Sequence, residues 1–208
     1  MAHIPDGVLS VPVSIGGAAL AVAGLAIGLR RLDERDIPRT AILAAVFFVA
    51  SLVAVPLGPS SVHLLLSGLM GLVLGVRAVP AIFVGLLLQA VFFGFGGLTS
   101  LGVDVVDIAL PGVGLGLLAR PWLAGASPRR AAVIGAVVAA LAVLGTAGCV
   151  SLALALSSAD YLPSLRVVAV TYLPLAIAEA VVTGFAVSFL VEVKPEVLGL
   201  APAPGAVS

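Results

Sequence analysis

The chain has little charge for its length. Of its 208 residues, 10% are Asp, Glu, Lys or Arg, whereas 62% are hydrophobic, and the formal net charge is zero. Soluble domains carry roughly 25% charged residues, so this chain has too few polar side chains to cover the surface of a soluble fold. A neutral chain also gives no reason to expect a nucleic-acid partner. The low content of charged residues and the high content of hydrophobic residues predict an integral membrane protein.

Residue types that often build functional sites are also scarce. The single cysteine, Cys149, cannot form an internal disulfide and lies in an apolar run typical of a packing residue. There is one tryptophan, Trp122, and there are only two histidines. No Walker phosphate-binding motif is present, so any ATP that drives this protein must be hydrolysed by another subunit. The opening MAHIPDG has no basic residue ahead of the first apolar run, which is not typical of a secretory signal.

Long apolar runs account for most of the chain. A spanning helix needs roughly 20 apolar residues, and on that basis the sequence predicts an all-α membrane bundle, a single domain over 1–208. We expect about seven spans, at about 8–29, 40–57, 62–76, 80–95, 103–119, 130–157 and 165–193. The third covers only about 22 Å at 1.5 Å per residue, against a hydrocarbon core of roughly 30 Å. It is therefore either re-entrant or recessed below the membrane surface.

The basic residues indicate which loops share a side of the membrane. If the chain alternates through seven spans, only Arg166 lies apart from the other basic residues. Those on the common side are Arg30, Arg31, Arg35, Arg39, Arg77, Arg120, Arg129, Arg130 and Lys194. The positive-inside rule then predicts that this side is cytoplasmic, with the N-terminus outside and the C-terminus inside. The N-terminal segment 1–10 and the loops 56–62 and 94–104 are expected on the outer face.

Both histidines, His3 and His63, are expected at that outer face. Histidine is the commonest metal ligand among side chains. If Met1 is removed ahead of the small Ala2, three nitrogens follow one another: the Ala2 amine, the His3 backbone nitrogen and the His3 ring. The His63 ring would complete a planar set of four nitrogens, which favours Ni(II) or Cu(II) over Zn, Mg or Ca. Pro, Asp and Gly at 5–7 are typical of a turn that would return segment 1–10 toward the bundle.

Other polar residues are candidates for supporting roles. Glu179 lies in the middle of the last span, where an unpaired charge costs at least about 2.5 kcal/mol. We interpret it as a carboxylate hydrogen-bonded to neighbouring helices, with a gating or coupling role as the alternative. Metal-bound imidazoles usually need an orienting partner, and the candidates for that function are Asp6, Ser61, Gln89 and Asp104.

Several motifs resemble one family. HIPDG at 3–7, SSVHLLLSGLMGLVLG around His63, LLLQAVFFGFGGLTSLG at 86–102 and PLAIAEAVVTGF at 174–185 are similar to the CbiM/NikM family. Its members are the substrate-capturing membrane subunits (S components) of energy-coupling-factor transporters for cobalt and nickel. The resemblance implies seven helices, an outward N-terminus, and a metal ion held by Ala2, His3 and His63. The family usually begins Met-His, and this chain begins Met-Ala-His, so the resemblance requires that Met1 is removed.

The resemblance also implies the setting of the protein. It would be a non-enzymatic import subunit of a prokaryotic inner membrane, with Ni²⁺ or Co²⁺ as its substrate, no organic cofactor, and a link to cobalamin biosynthesis. Its expected partners are a membrane coupling (T) subunit and two cytoplasmic ATPases, with a small accessory membrane subunit as a further candidate. The choice between nickel and cobalt stays open.

Two alternatives belong to other functional classes. An S component for an organic micronutrient should offer aromatic stacking groups, but the one Trp122 falls on the cytoplasmic side. An intramembrane enzyme needs an activated nucleophile beside a base. Ser61 and His63 are close in sequence, but no nucleophile-elbow motif surrounds the serine.

Overall fold

Seven helices and one short hairpin make up the part of the chain that the structure describes. The computed structural model describes residues 3–52, 55–57 and 60–200. The helices are α1 (Val11–Arg30), α2 (Ile37–Leu52), α3 (Ser67–Leu74), α4 (Ala78–Phe93), α5 (Leu101–Leu123), α6 (Pro128–Ser157) and α7 (Ser164–Val193). Between α2 and α3, strands β1 (Val55–Leu57) and β2 (Ser60–Val62) pair in antiparallel register.

One end of the bundle gathers basic residues from several loops, and we call it the basic end. Asp36, just before α2, forms an ion pair with Arg77 between α3 and α4. Near the end of α5, Arg120 donates hydrogen bonds of 3.1 and 3.2 Å to the carbonyls of Leu72 and Val73 in α3. The α1–α2 and α3–α4 links and the end of α5 therefore meet at the same end.

The opposite end holds both histidines, and we call it the histidine end. The ring of Phe95, which follows α4, stacks on His3 with the centroids 6.3 Å apart. The Ser10 amide, just before α1, donates to Ser157 Oγ at the end of α6. The described N-terminal residues lie here, whereas Val197, beyond α7, accepts from Arg39 at the basic end. Successive helices therefore run in alternating directions.

The exterior of the bundle is apolar, as a membrane protein requires. Among the described residues, five helical stretches are long and apolar enough to cross a membrane, and one of them, Ser67–Phe93, contains both α3 and α4. That stretch reverses direction, because the residues flanking it lie at the histidine end and Arg77 within it lies at the basic end. Large side chains such as Phe185 and Phe92 are exposed to the membrane. The predicted all-α membrane bundle is confirmed.

The structure corrects the bounds predicted for the second and third spans. Helix α2 ends at Leu52, not near residue 57, and Pro56 lies in β1. Proline lacks the amide hydrogen that a continuing helix would need. The third span was expected from residue 62, but α3 begins at Ser67 and has eight residues, about 12 Å in length. The residues from 63 to 66 form an irregular link, which starts α3 inside the bundle.

Glycines let α3 pack backbone to backbone against α5. A Cβ added to Gly71 would overlap the carbonyl of Gly112, and one added to Gly116 would overlap the backbone of Gly71. Side chains at these positions would push α3 away from α5. Because α3 begins four residues after His63, this close packing also helps to determine how deep the histidine lies.

Replacing Gly71 with alanine is expected to destabilise the bundle. The added methyl group overlaps backbone atoms, which cannot move as a flexible side chain would, and overpacking typically costs about 1–3 kcal/mol. The matched control is Gly114→Ala on α5, because no atom lies within 4 Å of a Cβ there. Thermal unfolding in detergent measures the difference, and equal midpoints for the two variants would contradict this account of the α3–α5 contact.

Candidate metal centre

The N-terminal segment is inserted into the histidine end of the bundle. His3 and Ile4 are 6% and 4% exposed. The Ile4 amide donates a 3.0 Å hydrogen bond to Asp104 Oδ1, and the Ile4 carbonyl accepts one from Ser100 Oγ. Side chains at the start of α5 thus satisfy both the backbone N–H and the backbone carbonyl of the buried Ile4. The sequence predicted Asp104 as an orienting partner of a metal-bound imidazole; the structure shows it bonded to the residue after His3, and it also adds Ser100, which was not predicted.

A second set of contacts holds the turn that follows. Asp6 accepts hydrogen bonds from the Thr99 amide at 2.8 Å, from the Leu98 amide at 3.2 Å, and from the Thr99 hydroxyl. These bonds lower the pKa of Asp6, the Thr99 side chain contributing most. The carboxylate is therefore ionised at neutral pH and joins the N-terminal turn to the α4–α5 loop.

The glycines of the α4–α5 loop allow it to lie directly against the N-terminal segment. Gly96 has φ +78°, and a Cβ there would lie 3.3 Å from the His3 Cβ. A Cβ on Gly97 would overlap Asp6. The Phe95 ring, between these glycines and α4, covers one face of the His3 ring. The Gly-rich α4–α5 loop thus covers the N-terminal segment at His3 and Asp6.

The two imidazoles lie side by side at the centre of this arrangement. The His3 and His63 ring centroids are 5.0 Å apart with 24° between the ring planes. His63 is 7% exposed, and the Nε2 atoms of both rings are buried with no hydrogen-bond partner among the described residues. Leaving a buried polar group unpaired costs about 1–3 kcal/mol. Two such nitrogens together indicate a site for a ligand that accepts nitrogen donors.

Burial keeps both rings neutral. It lowers the pKa of His3 to about 3, with the neighbouring His63 as a smaller cause. Burial likewise lowers the pKa of His63, against a raising effect of the Leu64 carbonyl. That carbonyl lies 3.2 Å from His63 Nδ1. A proton on Nδ1 would bond to it and leave Nε2 with its lone pair free, which is the form that binds a metal ion.

The described residues supply few further side-chain ligands. They contain no group of three or more His, Cys, Asp or Glu side chains able to hold one ion. Two imidazoles alone make an incomplete coordination sphere for a transition metal. The backbone nitrogen of His3 is adjacent, and within the described part of the chain its N–H donates no hydrogen bond, unlike that of Ile4. Ala2, the remaining predicted ligand, lies outside the described residues.

The remaining residues predicted for the site are Glu179, Gln89 and Ser61, which lie on three other elements. Glu179 lies on α7 and accepts hydrogen bonds from the backbone just after His63. Gln89 is fully buried in α4, with neither side-chain atom hydrogen-bonded to a described residue. Ser61 belongs to β2, and its side chain lies outside the described residues. Sequence reasoning also missed Thr99, although it stands beside Ser100 in the quoted TSLG motif.

A multi-pass helical bundle with two buried imidazoles side by side at one end defines a membrane protein with a candidate metal site. A family described as the cobalt uptake substrate-specific transmembrane region, CbiM, matches residues 3–197. The chain belongs to this family, and the resemblance carried by its motifs is confirmed. It is a transport subunit rather than an enzyme, and a multi-pass protein of the prokaryotic inner membrane.

Similar proteins come from several prokaryotes. A putative metal transport protein of Haemophilus influenzae is 38% identical over 94% of this chain and 96% of its own length. The cobalt transport protein CbiM of Sorangium cellulosum is 33% identical over 94% of each chain. A fused nickel transport protein NikMN of Rhodobacter capsulatus is 37% identical over 53% of this chain and 33% of its own length. Such fusions indicate that the family works in multicomponent transporters.

The fold also matches solved structures. A crystal structure of a truncated transition metal transporter superposes with a TM-score of 0.72 at 27% identity, covering 91% of this chain and 98% of the other. A second structure of a transition metal transporter gives the same score and identity, with 93% and 94% covered.

Proposed function

We propose that this chain captures nickel or cobalt ions for an ATP-driven energy-coupling-factor importer and binds the ion through four nitrogens. The observation that carries the proposal is the pair of buried imidazoles of His3 and His63, whose ring centroids lie 5.0 Å apart and of which His63 has an Nε2 atom without a partner among the described residues. Membership in a cobalt-uptake family supports the identity of the substrate.

The N-terminal segment supplies the remaining donors in this proposal. With Met1 removed, the Ala2 amine and the His3 backbone nitrogen close a five-membered chelate ring on the ion. The His3 nitrogen and its own ring close a six-membered one, and His63 takes the fourth position. The bond between the Ile4 amide and Asp104 supports this arrangement, because it holds the peptide after His3 while leaving the His3 amide uncommitted.

Carboxylates near the site balance part of the charge of the ion. A divalent cation loses much of its hydration when it enters a buried site, and this costs free energy unless opposite charge is near. Asp104 is 2% exposed and bonds to the residue next to His3, and Asp107, 4% exposed, follows one turn later in α5. An ionised carboxylate at either position would favour a cation over an anion at the site.

The proposed orientation and partners follow from charge and from the relatives. The basic end faces the cytoplasm by the positive-inside rule, so the histidine end faces outward and receives the ion. Relatives named NikMN and CbiMQ are fused to other components. We infer that this chain works with a membrane coupling subunit and two cytoplasmic ATPases, because its own sequence contains no nucleotide-binding motif.

Elemental analysis tests the function directly. The protein, purified with its natural N-terminus from cells grown in a mixture of nickel, cobalt, copper and zinc salts, is expected to contain nickel or cobalt. A planar site of four nitrogens has an intrinsic affinity for copper at least as high as for nickel. The fraction of copper in the purified protein therefore measures how strongly the site geometry and the metal supply favour nickel or cobalt over copper. Zinc as the dominant metal, or no transition metal at all, would overturn the proposal.

A further inference from the structure

Glu179 is a buried carboxylate that contacts the segment carrying His63. It lies midway along α7 and is fully buried. No basic side chain of the described residues pairs with it; the two salt bridges found there involve Asp36. Its Oε1 atom accepts hydrogen bonds from the backbone amides of Leu65 and Leu66, the latter at 2.8 Å. One oxygen of the carboxylate therefore bonds to the main chain of the link before α3, and Oε2 has no hydrogen-bond partner among the described residues.

That link needs an external acceptor. Leu66 precedes α3, has no side-chain cap, and adopts φ 49°, in the left-handed region. This conformation is unfavourable for a residue with a Cβ. Leu65 and Leu66 are both buried, so water cannot satisfy their amides. The carboxylate of Glu179 satisfies both and holds the link in its strained shape.

The link also orients the His63 ring. The carbonyl of Leu64 lies 3.2 Å from His63 Nδ1, and the N–H of that same peptide group, from Leu65, donates a hydrogen bond to Glu179. A shift of this link would move the carbonyl, rotate the ring, and turn Nε2 away from His3. The groups that support a metal-bound histidine set its ring orientation and its tautomer.

We propose that Glu179 is a positioning residue for the metal site. It acts from α7 through the amides of Leu65 and Leu66 and keeps His63 Nε2 aimed at the position that His3 also faces. The proposal rests on the proposed function, in which His63 is a ligand. It also makes α7, which contributes no ligand, the helix on which the affinity of the site depends.

The test compares two replacements of similar size. Glu179→Gln keeps an oxygen that can accept both amides, whereas Glu179→Met fills the space without an acceptor. We expect Glu179→Gln to bind Ni(II) within about threefold of the unaltered protein. We expect Glu179→Met to lose about tenfold or more, the scale seen when partners of metal ligands are removed. The visible absorption of the bound Ni(II) should shift in the Met variant alone, because its ligand geometry changes.

Thr183→Val is the matched control. Thr183 lies one turn further along α7, is fully buried, and its hydroxyl has no partner among the described residues. Its replacement should leave both the affinity and the spectrum unchanged. If Glu179→Met does not fold, Glu179→Asp takes its place, because the shorter side chain keeps the charge but withdraws the oxygen from the two amides. Nickel affinity should then fall several-fold with a shifted spectrum.

Equal nickel affinity in the Gln variant and the Met variant, or in the Gln variant and the Asp variant, would overturn the positioning role. His63→Ala, measured in the same assay, separates this outcome from failure of the proposed function. If His63→Ala still binds nickel, the ligand assignment is wrong; if it does not and the Glu179 variants all match the unaltered protein, only the positioning role is wrong.

Discussion

Replacing His3 or His63 with alanine should abolish nickel and cobalt uptake. The described residues bring only these two side-chain nitrogen ligands together, and no cluster of other metal-binding side chains stands near enough to substitute. Each change removes one of the four proposed donors. We therefore expect the affinity for Ni(II) to fall by well over the 10- to 100-fold that is typical when a residue hydrogen-bonded to a metal ligand is removed. Uptake into cells that also express the partner subunits, and titration of the purified protein, measure the two effects.

The control for the histidine variants is Cys149→Ala. Cys149 lies on α6, is partly buried, and forms no disulfide. Thiolates are strong metal ligands, so the alanine variant also tests whether the cysteine takes any part in binding. We expect its uptake to equal that of the unaltered chain. Uptake that persists in both His3→Ala and His63→Ala would refute the site.

An extension at the N-terminus should be as damaging as loss of a histidine. Two added residues, such as Gly-Ser ahead of Ala2, convert the proposed terminal amine into an amide, which is a far weaker donor and no longer ends the chain. The added residues must also fit where His3 and Ile4 are already buried beneath the α4–α5 loop. We expect the affinity for Ni(II) to fall at least about 100-fold, which exceeds the loss seen when a residue hydrogen-bonded to a metal ligand is removed.

The same two residues added after Ser208 provide the control, because they change the length of the chain without touching the amine. Intact-mass measurement of the unmodified protein should show that Met1 has been removed. Full nickel binding by a chain that retains Met1, or by the N-terminally extended chain, would exclude the terminal amine as a ligand.

Much of the architecture is visible in the residue types alone. A chain with 10% charged residues has no stable fold in water, and its long apolar runs predict the helices α1, α4, α5, α6 and α7 to within a few residues. The spacing of the basic residues predicts which links share an end, and the ion pair between Asp36 and Arg77 confirms one such meeting. These features are local or depend only on alternation along the chain.

The bounds of the second and third spans could not be obtained in this way. Apolar residues continue to Leu57 and resume at Val62 after the Gly-Pro-Ser-Ser stretch at 58–61, so hydropathy gives no sign that the helix stops at Leu52 or that an irregular link precedes α3. The start of α3 depends on contacts with other helices. Gly71 lets it approach α5, and Glu179 satisfies the amides that precede it.

The sequence by itself determined that this is a neutral, helical membrane protein whose only two histidines stand at its start and before its third helix. Only the tertiary structure decided that the rings lie 5.0 Å apart, because this depends on groups nearly one hundred positions away in the chain. Asp104 and Ser100 hydrogen-bond to Ile4 and hold the N-terminal segment inside the bundle. Glu179 hydrogen-bonds to the backbone of the link that begins at His63. Side-chain bonds across such separations follow from how helices pack, and no local pattern of residues encodes them.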